Sequence, residues 1–355
     1  MGLHRSDLPP RIAQALADGV AIPAHPLALD RSRRLDERRQ RALSRYYIDA
    51  GAGGLAVGVH TTQFALRAHG LYEPVLRMAM DEAQSWAAPR PLVMVAGVMG
   101  STRQARAEAA VARAIGYHVA LLSLAGFANA ADDELIAHCR AVASELPLMG
   151  FYLQPAVGGR VLSAAFWRRF AALDNVVAIK IAPFSRYRTL DVLRGVADAG
   201  AERRIALYTG NDDHIVLDLL TPFVLARGDE TVHLRIRGGL LGHWSVWTKS
   251  ACDLFQRLRM RDAAAVIDAE WLTLGAQVTD CNAALFDAAN DFAGCIAGCH
   301  EVLRRQGLLE GIECLDPAET LGPGQAAELD RVIAAYPHLD DSAFVRAHRE
   351  RWLSG

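Results

Sequence analysis

The chain has 355 residues, 52% of them hydrophobic and 22% charged, with a formal net charge of −2 at pH 7. That balance fits a globular protein long enough to bury a large core. It excludes the basic field that nucleic-acid binding requires, and no apolar run is long enough to cross a bilayer. The start, Met1-Gly2-Leu3-His4-Arg5-Ser6, lacks the apolar core of a signal peptide. Cys139, Cys252, Cys281, Cys295, Cys299 and Cys314 follow no framework spacing. Free thiols and a cytoplasmic location are therefore expected. Cys295, Cys299 and His300 lack a second ligand cluster, so small buried core residues are expected there and no metal site.

Residues 1–18 read as a helical lead-in, and Gly19–Leu29 as a proline-broken first strand and loop. Asp30–Ala50 is charged and helical, and its arginines read as a solvated face. A second strand covers Gly54–His60 and ends in Thr61-Thr62-Gln63, and a helix follows over 71–86. The third strand spans Pro91–Val98. Gly100-Ser101-Thr102 then caps an alanine-rich helix that stops near Gly116. Tyr117–Leu124 is the fourth strand, Pro147–Gln154 the fifth and Val176–Ala182 the sixth, with helices over about 130–145 and 163–173 between them. Thr189–Ala199 is helical, Ile205–Asn211 is the seventh strand, His214–Leu220 a short helix, and Val232–Arg237 a weaker eighth strand. Beyond about residue 250 the pattern is helical: Leu254–Leu274, Asn282–Arg305, Gln325–Ala335 and Asp341–Trp352.

Eight strands alternating with helices predict a (β/α)8 barrel over residues 1–250, with a helical region over 251–355 packed on it. The rival, an open doubly wound sheet, would want a glycine-rich dinucleotide fingerprint after its first strand, and none is present.

The most informative segment is Val176-Val177-Ala178-Ile179-Lys180-Ile181-Ala182-Pro183. Of the 38 basic Lys and Arg residues, only Lys180 and Lys249 are lysines. Arginine stays protonated at any usable pH, whereas a lysine desolvated by apolar neighbours can lose its proton and attack a carbonyl. Side chains alternate across a strand. Val177, Ile179 and Ile181 share one bulky face, and Val176, Ala178, Lys180 and Ala182 the other, roomier one. The alternative is a strand-end lysine snorkelling to solvent.

Barrel enzymes carry their chemistry at the C-terminal ends of strands. Lys180, Tyr152 and His60-Thr61-Thr62 stand at three such ends. In each strand the bulky residues hold the opposite parity: Met149, Phe151 and Leu153 in the fifth, and Leu55, Val57 and Val59 in the second. If the bulky parity packs on helices, Lys180, Tyr152 and His60 all point into the barrel, and Tyr152 lies on the strand next to Lys180. A phenol beside an amine can move the protons of imine formation, and a threonine hydroxyl can relay them. Taken singly, Tyr152 reads equally as a core tyrosine and Thr61-Thr62 as a loop or cap.

These segments resemble the dihydrodipicolinate synthase / N-acetylneuraminate lyase family over roughly Gly19–Leu274. The resemblance rests on GAGGLAVGVHTTQF (51–64), VAGVMGSTRQARAEAAVARAIGYHVALL (95–122), GFYLQP (150–155) and VVAIK (176–180). It implies a (β/α)8 barrel with C-terminal helices, a homo-oligomer (dimer or tetramer), and a Schiff base between Lys180 and a 2-oxo acid. Tyr152 would then be the proton shuttle, Thr61 its relay and Thr62 a substrate contact. No metal or organic cofactor is needed for this route.

The departures are informative too. His60 stands for the family glycine, and Gln63-Phe64 for Gly-Glu. No arginine follows Tyr152-Leu153-Gln154-Pro155 until Arg160, and Ser123-Leu124-Ala125-Gly126 stands where the synthase places a second tyrosine. Lysine biosynthesis is therefore not expected. Candidate replacements are Arg237 on the eighth strand, to grip an acid group, and His60, as an acid or base. Gly210 and Asn211 at the end of the seventh strand are candidate substrate contacts. For Arg237, His60 and Asn211 the bland readings, solvent exposure or a structural cap, stay open. The sequence thus predicts a Schiff-base lyase, an aldolase or dehydratase, acting on a small carbonyl substrate. The competing expectation is a catalytically idle barrel that binds a small molecule.

Overall fold

The computed structural model describes residues 2–87, 89–261 and 266–354. Among them run nine strands: β1 (Ala21–Pro23), β2 (Gly54–Val57), β3 (Val93–Val98), β4 (Val119–Leu122), β5 (Leu148–Leu153), β6 (Val176–Ala182), β7 (Ala206–Thr209), β8 (Pro222–Arg227) and β9 (Glu230–Leu241). The helices are α1 (Pro10–Asp18), α2 (Glu37–Ala50), α3 (Tyr72–Ser85), α4 (Thr102–Ile115), α5 (Asp132–Ala143), α6 (Ala164–Ala171), α7 (Arg186–Asp198), α8 (Ile215–Leu220), α9 (Thr248–Met260), α10 (Ala269–Leu285), α11 (Cys295–Arg305), α12 (Gln325–Ala335) and α13 (Ser342–Leu353). The sheet order is β1-β9-β7-β6-β5-β4-β3-β2, with β8 paired to β9 alone. The fold is a (β/α)8 barrel in which β9 is the eighth parallel strand, followed by C-terminal helices. No described helix is long and apolar enough to cross a membrane.

By its internal contacts the chain divides into two compact units. The first comprises Met1–Val20, Val93–Asn211 and Asp218–Leu240. It holds β3 to β7, most of β9 and the helices α4 to α7. Local chemistry delimits these elements. The Ser101 hydroxyl accepts the Gln104 N–H at the start of α4, and Gly116 closes that helix at φ +109°. Ser163 and Ser185 cap α6 and α7 in the same way.

The sequence did not anticipate β8. It is antiparallel to the first half of β9, with Val224 opposite His233, and joins it through the two-residue turn Gly228-Asp229 with Gly228 at φ +60°. A Gly-Asp pair between apolar runs is a hairpin signal.

The second unit comprises Ala21–Leu92, Asp212–Leu217 and Leu241–Gly355. Here α2 departs from a solvated helix. Its second half is buried, including Arg45, Tyr46 and Tyr47, because α13 covers it. Arg45 Nε donates to Glu82 at 2.7 Å and its Nη1 to the Trp352 carbonyl at 2.7 Å. Tyr46 donates to Asp341 at 2.7 Å. These bonds satisfy polar groups that would otherwise cost stability inside the unit. The expected helix Leu254–Leu274 is two helices, α9 and α10, and its residues 262–265 lie outside the described residues.

Candidate active site

Lys180 is the fifth of seven residues in β6, and every residue of that strand is buried. Only 7% of Lys180 is exposed. The register of the sheet defines its face. Phe151 of β5 and Tyr208 of β7 are the partners of Lys180, and Gly238 of β9 is the partner of Tyr208. The Lys180 ammonium nitrogen lies 4.4 Å from the centre of the Phe151 ring. The space for its stem comes from Gly210. A β-carbon there would sit 2.5 Å from Lys180 Cε and 2.8 Å from Ala182 Cβ, closer than van der Waals contact allows. The structure thus brings Lys180 and Gly210 together.

It does not bring Tyr152 to Lys180. Tyr152 is in register with Ile181, on the opposite side of the sheet, where its ring packs 5.3 Å from that of Trp167 in α6. Its hydroxyl donates to the Leu162 carbonyl at 3.1 Å and accepts the Leu162 N–H at 3.1 Å. Burial pushes this phenol above its ordinary range. The expectation that β5 turns its bulky parity to the helices is reversed. Gly150 and Tyr152 face α6, where a β-carbon on Gly150 would lie 2.7 Å from the Phe170 ring. Met149, Phe151 and Leu153 face the other way, beside Ala178, Lys180 and Ala182. A register shift places Leu148 opposite Val176 but Met149 opposite Ala178, so one extra residue of β6 inverts the parity between the two strands.

Asn211 is fully buried and its side chain is spent internally. Its Oδ1 accepts the Phe184 N–H at 3.0 Å, and its Nδ2 donates to Thr189 at 3.2 Å and Asp218 at 2.9 Å. Asp218 also receives Thr209 at 2.7 Å and Arg186 at 2.6 Å. This network holds Phe184 at φ +50°, a left-handed conformation that costs a bulky residue energy. Asn211 therefore fixes the turn after β6 instead of offering a polar group to substrate.

Arg237 is exposed on β9, with Val232, Leu234 and Ile236 buried on the opposite parity. It lines an open groove with Asp18 and the residues that lead into β7, at the N-terminal end of that strand, so it is not placed to grip an acid group at the C-terminal ends. Arg160 is committed in part: its Nη1 donates to the carbonyls of Phe127 and Ala130, while its buried Nε finds no hydrogen-bond partner among the described residues.

In the second unit, His60, Thr61 and Thr62 form one 3-10 turn. The Thr62 hydroxyl donates to the His25 carbonyl at 2.6 Å and accepts the N–H groups of Gly58 at 3.0 Å and Val59 at 3.2 Å. With three hydrogen bonds it locks the turn and has no capacity left for a ligand. Thr61 differs: it is 3% exposed, and its hydroxyl finds no hydrogen-bond partner among the described residues. An unpaired buried hydroxyl costs stability. His60 is half-buried, its ring edge-on to Phe64 at 5.8 Å. Gln63 adopts φ +66°, where the resembled family has glycine. It is held there by its Oε1, which accepts the Leu315 N–H at 2.6 Å. The C-terminal segment thus stabilises a turn that glycine would otherwise have to make.

Sequence reasoning missed Phe151, the ring beneath the amine, and Leu315, the anchor of Gln63. Phe151 lies within GFYLQP but on the parity expected to face the helices, and Leu315 lies in no motif; only the register and the chain's return reveal them.

Comparison with known structures gives the same architecture. A chloride-inhibited dihydrodipicolinate synthase from Acinetobacter baumannii, complexed with pyruvate, superposes with a TM-score of 0.72 at 20% identity, covering 89% of this chain and 98% of that one. YagE, a prophage protein of the dihydrodipicolinic acid synthase family from E. coli K12 in complex with pyruvate, gives 0.72 at 19% identity, covering 89% and 98%. CdNal from Clostridium difficile, in complex with mannosamine, gives 0.70 at 14% identity, covering 90% and 99%. At these identities the likeness concerns the fold. No curated protein sequence matches the chain. The model of the Dihydrodipicolinate synthetase family matches residues 19–234, more than half of the sequence, and the chain belongs to that family.

Proposed function

We propose that the chain is a Schiff-base-forming lyase, an aldolase or a dehydratase, acting on a 2-oxo acid or a related carbonyl compound. Family membership supports class I aldolase-type chemistry in general. The observation that carries the finer reading is Lys180: a buried lysine on an apolar strand, over the Phe151 ring, in space left open by Gly210. In this reading the neutral amine of Lys180 adds to the substrate carbonyl carbon and forms a carbinolamine. Loss of water then leaves an iminium. The iminium withdraws electrons from the neighbouring carbon, so that a C–C bond or a β-leaving group can break, or a C–C bond can form, before water hydrolyses the imine.

Proton transfer in this scheme does not run through Tyr152, whose hydroxyl is bonded to Leu162 on the helix side. Thr61 is the proposed relay, supported by its unpartnered buried hydroxyl and by its match to the family's threonine pair. Two of the structural neighbours are pyruvate complexes, which makes pyruvate the first oxo acid to try. We also propose a homo-oligomer, as the family resemblance implies.

The test is imine trapping. Borohydride in the presence of pyruvate or another oxo acid should add the reduced adduct's mass to Lys180, and Lys180→Ala should remove it. An unmodified Lys180 after a broad panel of oxo acids would sink the reading. A second reading, a catalytically idle barrel that binds a small molecule, is favoured by the way Tyr152, Thr62 and Asn211 spend their polar groups on the protein itself. It predicts ligand-dependent thermal stabilisation with no trapping and no turnover.

A further inference from the structure

We propose that the groove between the hairpin β8–β9 and the segment leading into β7 binds a small, multiply charged anion of the phosphoryl class. The inference lies within the first unit and stands whether or not Lys180 forms an imine. The groove has a volume of about 810 Å³ and is walled by the end of α1, by Glu202–Leu207 and by the first half of β9. It opens for a topological reason. β9 pairs with β8 from Glu230 to Arg235 and meets β7 only from Ile236, the partner of Leu207. The first half of β9 therefore stands off from the barrel sheet.

Its charges are unbalanced in a specific way. Three carboxylates, Asp18, Glu202 and Glu230, face five guanidiniums in the lining of the groove. Arg227 holds Glu202 at 3.1 Å and Glu230 at 2.9 Å, and Asp18 accepts from Gln14 at 2.8 Å. Arg204 is engaged too, donating to the carbonyls of Val176 at 2.7 Å and Leu173 at 3.2 Å. Arg203, Arg235 and Arg237 remain. Among the described residues their side chains make no hydrogen bond or ion pair, and all three line the groove. Arg235 and Arg237 are two residues apart on β9, on one parity with His233, while the buried parity is Val232, Leu234 and Ile236.

Three guanidiniums that make no side-chain hydrogen bond or ion pair among the described residues, with only Arg203 close enough to Glu202 to feel its charge, raise the local positive potential of the groove. Each presents a planar fork of donors matched to phosphoryl or carboxylate oxygens. A single carboxylate can occupy one or two such forks. A group with several charged oxygens, such as a diphosphate, can engage all three. The volume lies within the range of about 300–1,000 Å³ usual for small-molecule sites. The groove sits where β7 begins, whereas Lys180 lies toward the C-terminal end of β6, so this is a different site from the one that would take the carbonyl substrate.

The test is calorimetric titration of the full-length protein with pyrophosphate at low salt, with inorganic phosphate and citrate as comparisons. Saturable binding is expected, tightest for pyrophosphate. Removing Arg235 or Arg237 by substitution with Ala should weaken it about tenfold each, the usual weight of a charge-assisted hydrogen bond. Arg169→Ala, which removes the partner of Asp133 elsewhere on the surface, should leave binding unchanged. The proposal is overturned if pyrophosphate does not bind saturably, or if the Arg235→Ala/Arg237→Ala double variant binds it as the parent does. It is also overturned if citrate binds as tightly as pyrophosphate, or if a single-stranded oligonucleotide binds and pyrophosphate does not displace it.

Discussion

β5 and β6 are neighbouring parallel strands, each with one bulkier parity, yet they turn opposite sides to the helices. In β6 the bulky set, Ile179 and Ile181, shares the sheet face of Gly150 and Tyr152, the face against α6. In β5 the bulky set, Met149, Phe151 and Leu153, lies on the face of Ala178, Lys180 and Ala182. At Gly150–Ile179, Met149–Ala178 and Leu153–Ala182 a large residue of one strand stands beside a small residue of the other, whereas Tyr152–Ile181 and Phe151–Lys180 pair two long side chains. Gly150 admits Phe170 and Trp167 from α6, and Ala178 and Ala182 leave room for Met149 and Leu153. Lys180 is the one long side chain on the small-residue face of β6, and Gly210, just past the end of β7, makes its space. Alternation alone therefore says that two faces exist, and the neighbouring element decides which face is which.

The largest expected effect is at Gly210. In Gly210→Ala the new methyl would stand 2.5 Å from Lys180 Cε and push the amine aside. The rate of borohydride-trapped imine formation should fall about 100-fold, the scale of a misplacement near 1 Å. An unchanged rate would mean that Gly210 does not set the position of the lysine. Gly150→Ala probes the helix side of β5, where the methyl meets the Phe170 ring at 2.7 Å. Overpacking of this kind should cost about 1–3 kcal/mol in urea unfolding, while imine trapping at Lys180 persists. Full stability would break the assignment of Gly150 to the α6 face. The smallest effect is expected for Tyr152→Phe, which strips the Leu162 N–H and carbonyl of their shared partner. It should cost about 1–2 kcal/mol of stability and leave the trapping rate unaltered. A fall of about 10²–10⁴ in that rate, the usual weight of a general acid–base group, would instead return Tyr152 to the role of proton shuttle.

Much of the architecture was legible because its signals are local. Ser101 and Gly116 bracket α4 by cap chemistry that needs no tertiary contact. The apolar runs at Val93–Val98 and Val176–Ala182 are too short and too rich in β-branched residues for helices. The hairpin β8–β9 was legible in principle through Gly228-Asp229, but Pro222 and the unalternated run Phe223-Val224-Leu225 blur the strand pattern of β8. The roles of the polar residues were the least legible. Thr61 and Thr62 are the same residue type in one turn. One hydroxyl makes three hydrogen bonds, and the other finds none among the described residues. Asn211 could have met a ligand or a backbone amide, and the φ +50° turn at Phe184 settles it on the amide.

The amino-acid sequence by itself determined the alternation of the eight barrel strands with helices, though not the β8 hairpin strand, and it determined the presence of a lone lysine inside an apolar strand; its motifs carried the family resemblance. The alternation and the lysine follow from composition, periodicity and caps read along the chain, and the resemblance from motifs such as VVAIK and GFYLQP. The tertiary structure decided what stands beside that lysine: Phe151 instead of Tyr152, with Gly210 giving it room. It decided likewise which polar groups stay open to a ligand and which are consumed in holding turns. The physical reason is that a period of two fixes side-chain alternation but not its sense, and one extra residue in the pairing of β5 with β6, together with the bulk of Trp167 and Phe170, sets that sense.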